Sequence, residues 1–436
     1  GVVIRSCLPK TAWPPTFHWV KMAPESFTLY ARNPKYNVFL GKDTVNPAPT
    51  YGCAFIDDWE GNRRSGTMED YIKSLKLVQA EELYSINGGI LIQPGDIPEE
   101  RAAVEMFYAA LTHSDKAIML PTGFKNEMEL ILEAGCALFG GMEAMAEKPR
   151  MIALINTVSP LTLDERMLDC LMLLAKYGQA AVLCPATMLG ATGSLSMAGT
   201  IASGTAEALA GIVLAQMIRP GTPVVFGIQS TAADLRGGIT FACAAPEGTL
   251  MQGFSANMGK FYGMPSRGGG CQTDAPVINC QAGYESMLTF SSAYRHGINL
   301  VMEAGGVMDS VNATSFEKMV IDFEIMRQVK ASFTPFEVNE ETLNLEEIKE
   351  IGHSGSFVTA DYTLENYMDL YSPKVGSRNA SGSDYFKESV DKEMERLLKS
   401  YQDNPPVLDD EARAAAEKIL AKSGMEPQEF EKIRSL

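Results

Sequence analysis

Eight short apolar runs, each followed by a longer stretch of helical spacing, constrain this chain more than any other feature. They are YGCAFID (51–57), GGILIQ (88–93), KAIML (116–120), MIALINT (151–157), AAVLCPA (180–186), PVVFGIQ (223–229), RGGGCQ (267–272) and NLVMEAG (299–305). Strands this uniformly apolar are buried on both faces, which predicts a parallel sheet covered by helices. The stretches between them, such as TMEDYIKSLKLVQAEELY and LDERMLDCLMLLAKYG, have the apolar period of helices. Eight such units in a chain of 436 residues predict an α/β fold of the (β/α)8 TIM-barrel class over residues 51–338. A doubly wound open sheet is the competing topology, but its GxGxxG after the first strand is missing.

Residues 1–50 read as an N-terminal extension in which FTLYARNPKYNVFLG makes a hairpin beside the barrel. Residues 339–436 turn acidic and helical, giving a C-terminal helical appendage joined through the Gly/Ser-rich GSRNASGSDY at 376–385. The formal net charge of −17 argues against a nucleic-acid partner, because phosphate binding calls for clustered Lys and Arg. It suits a soluble protein and could also favour a cationic substrate. No apolar run is read as membrane-spanning, and GVVIRSC does not read as a signal peptide, so the expected location is the cytoplasm. The eight cysteines (7, 53, 136, 170, 184, 243, 271 and 280) include no CxxC and no zinc-type spacing, so reduced thiols and no metal site are expected.

Barrel chemistry sits at the C-terminal ends of the strands. Polar residues expected there are Asp57, Asp58, Gln93, Asn156, Gln229, Gln272, Asp274 and Glu303. Glu303 interrupts an apolar run, so its carboxylate is either hydrogen-bonded between two loops or used in the site. Asp274 and Glu285 are the other candidate catalytic carboxylates. Gly268, Gly269 and Gly270 can let the backbone approach a ligand or adopt dihedrals closed to other residues. Gln281 lies three and four residues before Tyr284 and Glu285, so the three can share one helix face. A glutamate near a helix N-terminus is also an ordinary partner for the dipole. Of the four histidines (18, 113, 296 and 353), none lies in a DxHxxG arrangement. A continuous helix from Gln281 puts His296 roughly 22 Å away, so it reaches a site only if that helix breaks.

Three blocks carry a likeness to a known family: DDWEGNRRSGTMEDY (57–71), PATMLGATGSLSMAGTIASGTAEALAGIVLAQMIRPGTPVVFG (185–227) and RGGGCQTDAPVINCQAGYE (267–285). The chain resembles the trimethylamine methyltransferase family, whose members are (β/α)8 barrels moving a methyl group from a methylated amine to a corrinoid on a partner protein. Its trimethylamine enzymes carry pyrrolysine between the glycine run and QAGYE, where this chain reads CQTDAPVIN. The chain therefore resembles the non-pyrrolysine branch, which implies a small quaternary amine as substrate, glycine betaine first. The likeness also implies that the corrinoid (cobalamin) rides on a separate cognate corrinoid protein, with no cofactor bound by this chain. Aromatic faces that could meet a quaternary ammonium are Tyr284, Trp59, Phe226, Phe254 and Tyr262. A homo-oligomer is expected. The lead-in GVVIRSCLPKTAWPPTFHWVK departs from the family pattern, as if truncated or altered, which bears on the packing of the N-terminal extension. Other readings are a methyltransferase for trimethylamine or another methylamine, a barrel lyase or aldolase, and a non-catalytic betaine-binding protein. A lyase or aldolase calls for a strand-end Lys or a metal cluster, and the sequence offers neither.

Overall fold

The computed structural model describes residues 16–379, 382 and 384–436. Its centre is a parallel sheet of β1 (Asn46–Pro47), β2 (Ile118–Leu120), β3 (Met151–Asn156), β4 (Ala180–Cys184), β5 (Val224–Gly227), β6 (Ser266–Gly269) and β7 (Leu300–Met302). The seven strands neighbour one another in the order β1-β7-β6-β5-β4-β3-β2, and the sheet curls as it goes. An isolated parallel bridge from Ile86 to Ala117 adds a further segment beside β2. Gly52 N donates to Ile90 O at 2.7 Å, joining the chain after β1 to the chain after that bridge.

Strands β2 to β7 fall on the apolar runs that predict them. The first two runs do not behave as expected. Residues 51–57 contribute only Phe55–Asp57, and to a separate four-stranded sheet with Arg63–Ser65, Val307–Met308 and Ala313–Thr314. The central sheet uses Asn46–Pro47 instead. GGILIQ makes no strand: Gly88 has φ +78°, and a Cβ at Gly89 would meet Leu120 O at 2.6 Å. Leu91 and Ile92 are buried as loop residues, so their apolar character records burial without strand geometry.

Alternate residues of the strands serve different clusters, as the pleat requires. Ile118, Ala153, Ile155, Leu183 and Phe226 pack against the helical layer, whereas Met119, Ile152, Leu154, Val182 and Val225 pack together on the inner face. The N-terminal hairpin, Phe27–Leu29 against Val38–Leu40, adds Leu29, Val38 and Leu40 to that inner cluster. Tyr30 N donates to Pro149 O and Asn33 N to Asp115 O, just before β3 and β2. The hairpin therefore caps the N-terminal end of the sheet, where the sequence suggests a place beside it. The expectation about residues 1–15 lies outside the described residues, as does Cys7.

The helical layer is α1 (Met68–Ala80), α2 (Ala102–His113), α3 (Lys125–Phe139), α4 (Glu165–Lys176), α5 (Met197–Ile218), α6 (Pro246–Tyr262), α7 (Cys280–His296) and α8 (Phe316–Ser332). Their starts are chemically marked: Thr67 and Asp70 form a capping box, and Asp164, Ser196, Asn279 and Ser315 each accept a first-turn N–H. By length and composition alone α5 is long and apolar enough to cross a membrane, where the sequence analysis reads no run of that kind. Its apolar surface packs on the neighbouring strands and helices, with Ala208, Gly211, Ile212 and Ala215 buried. The C-terminal helices Tyr385–Asp403, Asp410–Leu420 and Pro427–Ser435 pack on α1, α3 and α2 respectively.

Candidate active site

The strand that ends in the glycine run carries its most consequential residue one position earlier. Arg267, in the middle of β6, is the largest fully buried side chain among the described residues. A buried guanidinium must be paired. Its Nη2 donates to both carboxylate oxygens of Glu303, at 2.5 Å each, and its Nη1 donates to Gln229 Oε1. Gln229 Nε2 in turn donates to Gln272 Oε1 at 2.9 Å. Glu303, Arg267, Gln229 and Gln272 thus form one polar chain across the C-terminal ends of β7, β6 and β5. Burial raises the Glu303 carboxyl above the usual carboxylate range, and the Arg267 guanidinium opposes that rise. Glu303 also holds φ +51°, a left-handed backbone for a residue with a side chain. Strain of that kind collects at functional positions.

Tyr51 and Cys184 belong to the inner cluster, and both feel the Glu303 charge. Burial pushes the Cys53 thiol up to about 12, with Glu303 and Asp57 adding to the rise. Beside this group, at the ends of β2 and β3, opens a cleft of about 700 Å³ lined by Gln93, Thr122, Asn156, Asp164 and Arg166 among others.

The glycines serve packing here. None of Gly268, Gly269 and Gly270 has a positive φ. A Cβ on Gly269 would lie 2.4 Å from Gln272 Oε1 and 2.7 Å from Gln229 Nε2. On Gly270 it would meet Ala304 at 2.6 Å, whereas on Gly268 it would touch Ile298 at an ordinary 3.4 Å. The run is small because the two glutamines and the Glu303 turn crowd against it.

A second group stands next to the first. Glu285 Oε2 accepts from Thr273 Oγ1 at 2.5 Å and Asp274 N at 2.9 Å, while its Oε1 accepts from Gln281 Nε2 at 2.9 Å. Asp274 accepts from Cys243 N, Cys243 Sγ, Ala244 N and Ser310 Oγ. Both carboxylates therefore pin loops: Glu285 holds the turn after β6, and Asp274 holds it to the loops after β5 and β7. Asp309, Ser310 and Val311 follow one another at φ +48°, +55° and +74°. Arg63 braces that turn by bridging Asp57 and Asp309.

Several expected members stand elsewhere. Tyr284 is 59% exposed on the outer face of α7. That helix is unbroken, so His296 sits at its C-terminal end with Nδ1 2.8 Å from Ser292 O and its ring against Gly253. Phe226, Tyr262 and Phe254 pack in the outer core, and Trp59 donates to Asp391 on a C-terminal helix. Tyr51, which feels the Glu303 charge, and Tyr84, whose hydroxyl donates to Ala304 O at 2.7 Å, are aromatic residues near the Glu303 turn, and neither they nor Arg267 stand out in the sequence. The available signal was a lone Arg in an otherwise small and apolar strand. Among the described residues no group of three or more His, Cys, Asp or Glu could hold a metal ion, and the seven described cysteines are free.

A curled parallel sheet with its buried charges at the strand ends is the arrangement of an α/β enzyme. The description of the trimethylamine methyltransferase (MTTB) family matches residues 16–426. The glycine betaine methyltransferase of Desulfitobacterium hafniense (strain Y51) is 37% identical over 93% of this chain and 86% of its own length. A trimethylamine methyltransferase MttB of the same species (strain DSM 10664 / DCB-2) is 25% identical over 88% and 79%. A crystal structure of the hydroxylamine MtmB complex aligns over 90% of this chain and 80% of that one, at 12% identity and a TM-score of 0.46. The chain belongs to the trimethylamine methyltransferase family. It is a methyltransferase that acts on a methylated amine.

Proposed function

We propose that this chain moves a methyl group from a small quaternary amine, glycine betaine first, to the Co(I) corrinoid of a separate partner protein in the cytoplasm. The observation that carries the substrate is the Arg267 and Glu303 pair. A betaine has a fixed cation and a carboxylate in one molecule, and a buried carboxylate beside a buried guanidinium complements both. The glycine betaine enzyme among the relatives supports the same choice, as does CQTDAPVIN, which is written in standard residues.

The chemistry is an in-line displacement at the methyl carbon. A corrinoid supplies the nucleophile, and the electron pair of the breaking C–N bond leaves with the amine. A quaternary ammonium departs as a neutral tertiary amine, so no proton has to be delivered to it. What remains for the protein is to orient the cation, exclude water and expose one methyl. Glu303 holds the ammonium with Tyr51 beside it, Arg267 holds the substrate carboxylate, and Gln229 and Gln272 keep the guanidinium in place. Asp274, Glu285 and Gln281 fix the loops around these strand ends. The site then lies in the mouth of a closed (β/α)8 barrel, in which the segment at Ile86 supplies the eighth strand position.

Binding separates this reading from a general cation site. Titrating the protein with glycine betaine and with choline compares the same cation with and without a carboxylate. Betaine is expected to bind at least ~10-fold more tightly, the equivalent of one charged hydrogen bond. Equal affinities would contradict the role given to Arg267.

A further inference from the structure

Residues 334–370 leave the body of the protein and return to it at almost the same place. They start where α8 ends. They end at Tyr371, whose hydroxyl donates to Glu324 of α8, and Lys374 N and Val375 N donate to the same carboxylate at 2.9 and 3.2 Å. Between those points lie three short helices, Glu340–Leu343, Leu345–Ile351 and Asp361–Asn366, and none buries a residue.

The excursion is nevertheless apolar. It holds twelve of the 32 exposed large hydrophobic side chains among the described residues, Phe336 at 85% and Met368 at 76% exposure the most open. Scattered exposed apolar residues need no explanation, but a concentration of this kind marks an interaction surface. Twelve such side chains offer on the order of 1,000 Å² of apolar area, the scale of one side of a permanent homodimer interface rather than a transient encounter.

Charge then selects the way two copies meet. The excursion carries nine Asp and Glu against a single Lys, so two of them packed face to face would repel. Its complement lies at its own base, in a groove of about 770 Å³ between α8 and the strap that follows Tyr371. Ile321, Ile325, Val375, Tyr385 and Phe386 line it together with Arg378 and Glu324, whose carboxylate is already engaged by Tyr371 and the strap amides, and Lys374 is exposed on the strap. Because the groove and the base of the arm share one face, a two-fold axis there lets each arm lie in the other copy's groove.

We propose that residues 334–370 are an exchange arm that seats in the α8 groove of a second copy of this chain. The isologous contact follows the usual symmetry of homo-oligomers.

Light scattering on the full-length protein after gel filtration tests this. The wild type is expected at two or more chains per particle, and the triple variant Phe336→Ser/Val358→Ser/Met368→Ser at half that mass or less. Its melting temperature should fall by no more than the loss of subunit contacts explains, with the circular dichroism of the barrel retained. Lys374→Glu/Arg378→Glu, on the groove side, should raise the dimer Kd at least ~10-fold. A monomeric wild type, or a triple variant of unchanged mass, would overturn the proposal. A monomer that gains mass only on adding a methyl-acceptor protein would assign the arm to that partner and overturn it equally. An unchanged Kd in the groove variant would overturn the groove as the receiving site.

Discussion

Two opposite charges removed from water together decide the behaviour of single substitutions. Taking away one partner of the Arg267 and Glu303 pair strands the other and costs about 3–5 kcal/mol, whereas replacing both by apolar residues of similar volume is often close to neutral. Arg267→Met and Glu303→Leu singly are therefore expected to melt early, and the double variant within a few degrees of wild type. If the pair binds substrate, the double variant remains at least ~100-fold slower despite its recovered stability. Melting curves and initial rates on the same preparations decide it, and a stable double variant with full activity would reduce the pair to packing. The glycine run makes a second prediction at this scale. Gly269→Ala puts a Cβ 2.4 Å from Gln272 Oε1 and must displace both glutamines, at a cost of about 1–3 kcal/mol. Gly268→Ala meets Ile298 at 3.4 Å and should be nearly silent in a melt and a rate assay. Similar losses in both variants would mean the run matters for backbone freedom instead.

The C-terminal helices are joined to the sheet-and-helix body by a histidine that burial keeps neutral. His113, the last residue of α2, has Nδ1 2.8 Å from Tyr401 Oη and Nε2 2.8 Å from Ile433 O. Because the carbonyl can only accept, Nε2 carries the proton and Nδ1 accepts from the tyrosine. Burial pushes the His113 pKa down from 6.5 to about 4. The unfolded chain then binds more protons between those values, so stability is fully present above pH 6.5 and drains away as pH falls toward 4. The loss is on the order of 3 kcal/mol, and His113→Gln should flatten that part of the stability profile. An unaltered slope in the variant would show that other groups cause it. Helices and inner strands were the legible part of this molecule, since Thr67, Asp164, Asn279 and Ser315 announce helix starts and β2 to β7 are solidly apolar. GGILIQ looked the same for a different reason, burial under a loop, and no local signal separates the two. At the site, Glu303, Gln229 and Gln272 stood out as polar residues at strand ends. Arg267 did not, because long-range pairing determines its role. Tyr284 shares the first turns of α7 with Gln281 and Glu285 yet faces outward, and His296 needed a break in that helix, which runs unbroken to the far end.

At the scale of the whole molecule, the curled sheet of this acidic protein gathers buried charge at one end of its strands, and under the proposed function another protein carries the methyl acceptor. A quaternary donor needs no Lewis acid to make its amine leave, so chelator treatment should leave turnover unchanged, and parallel activity loss and zinc release would contradict that. The most direct measurement follows the methyl group itself. Purified protein is mixed with Co(I) cobalamin and either glycine betaine or trimethylamine, and both the cobalamin spectrum and the demethylated amine are recorded. The account predicts methylated cobalamin and dimethylglycine in equal amounts from glycine betaine, and no reaction from trimethylamine. Methylation from trimethylamine with none from any betaine would contradict it.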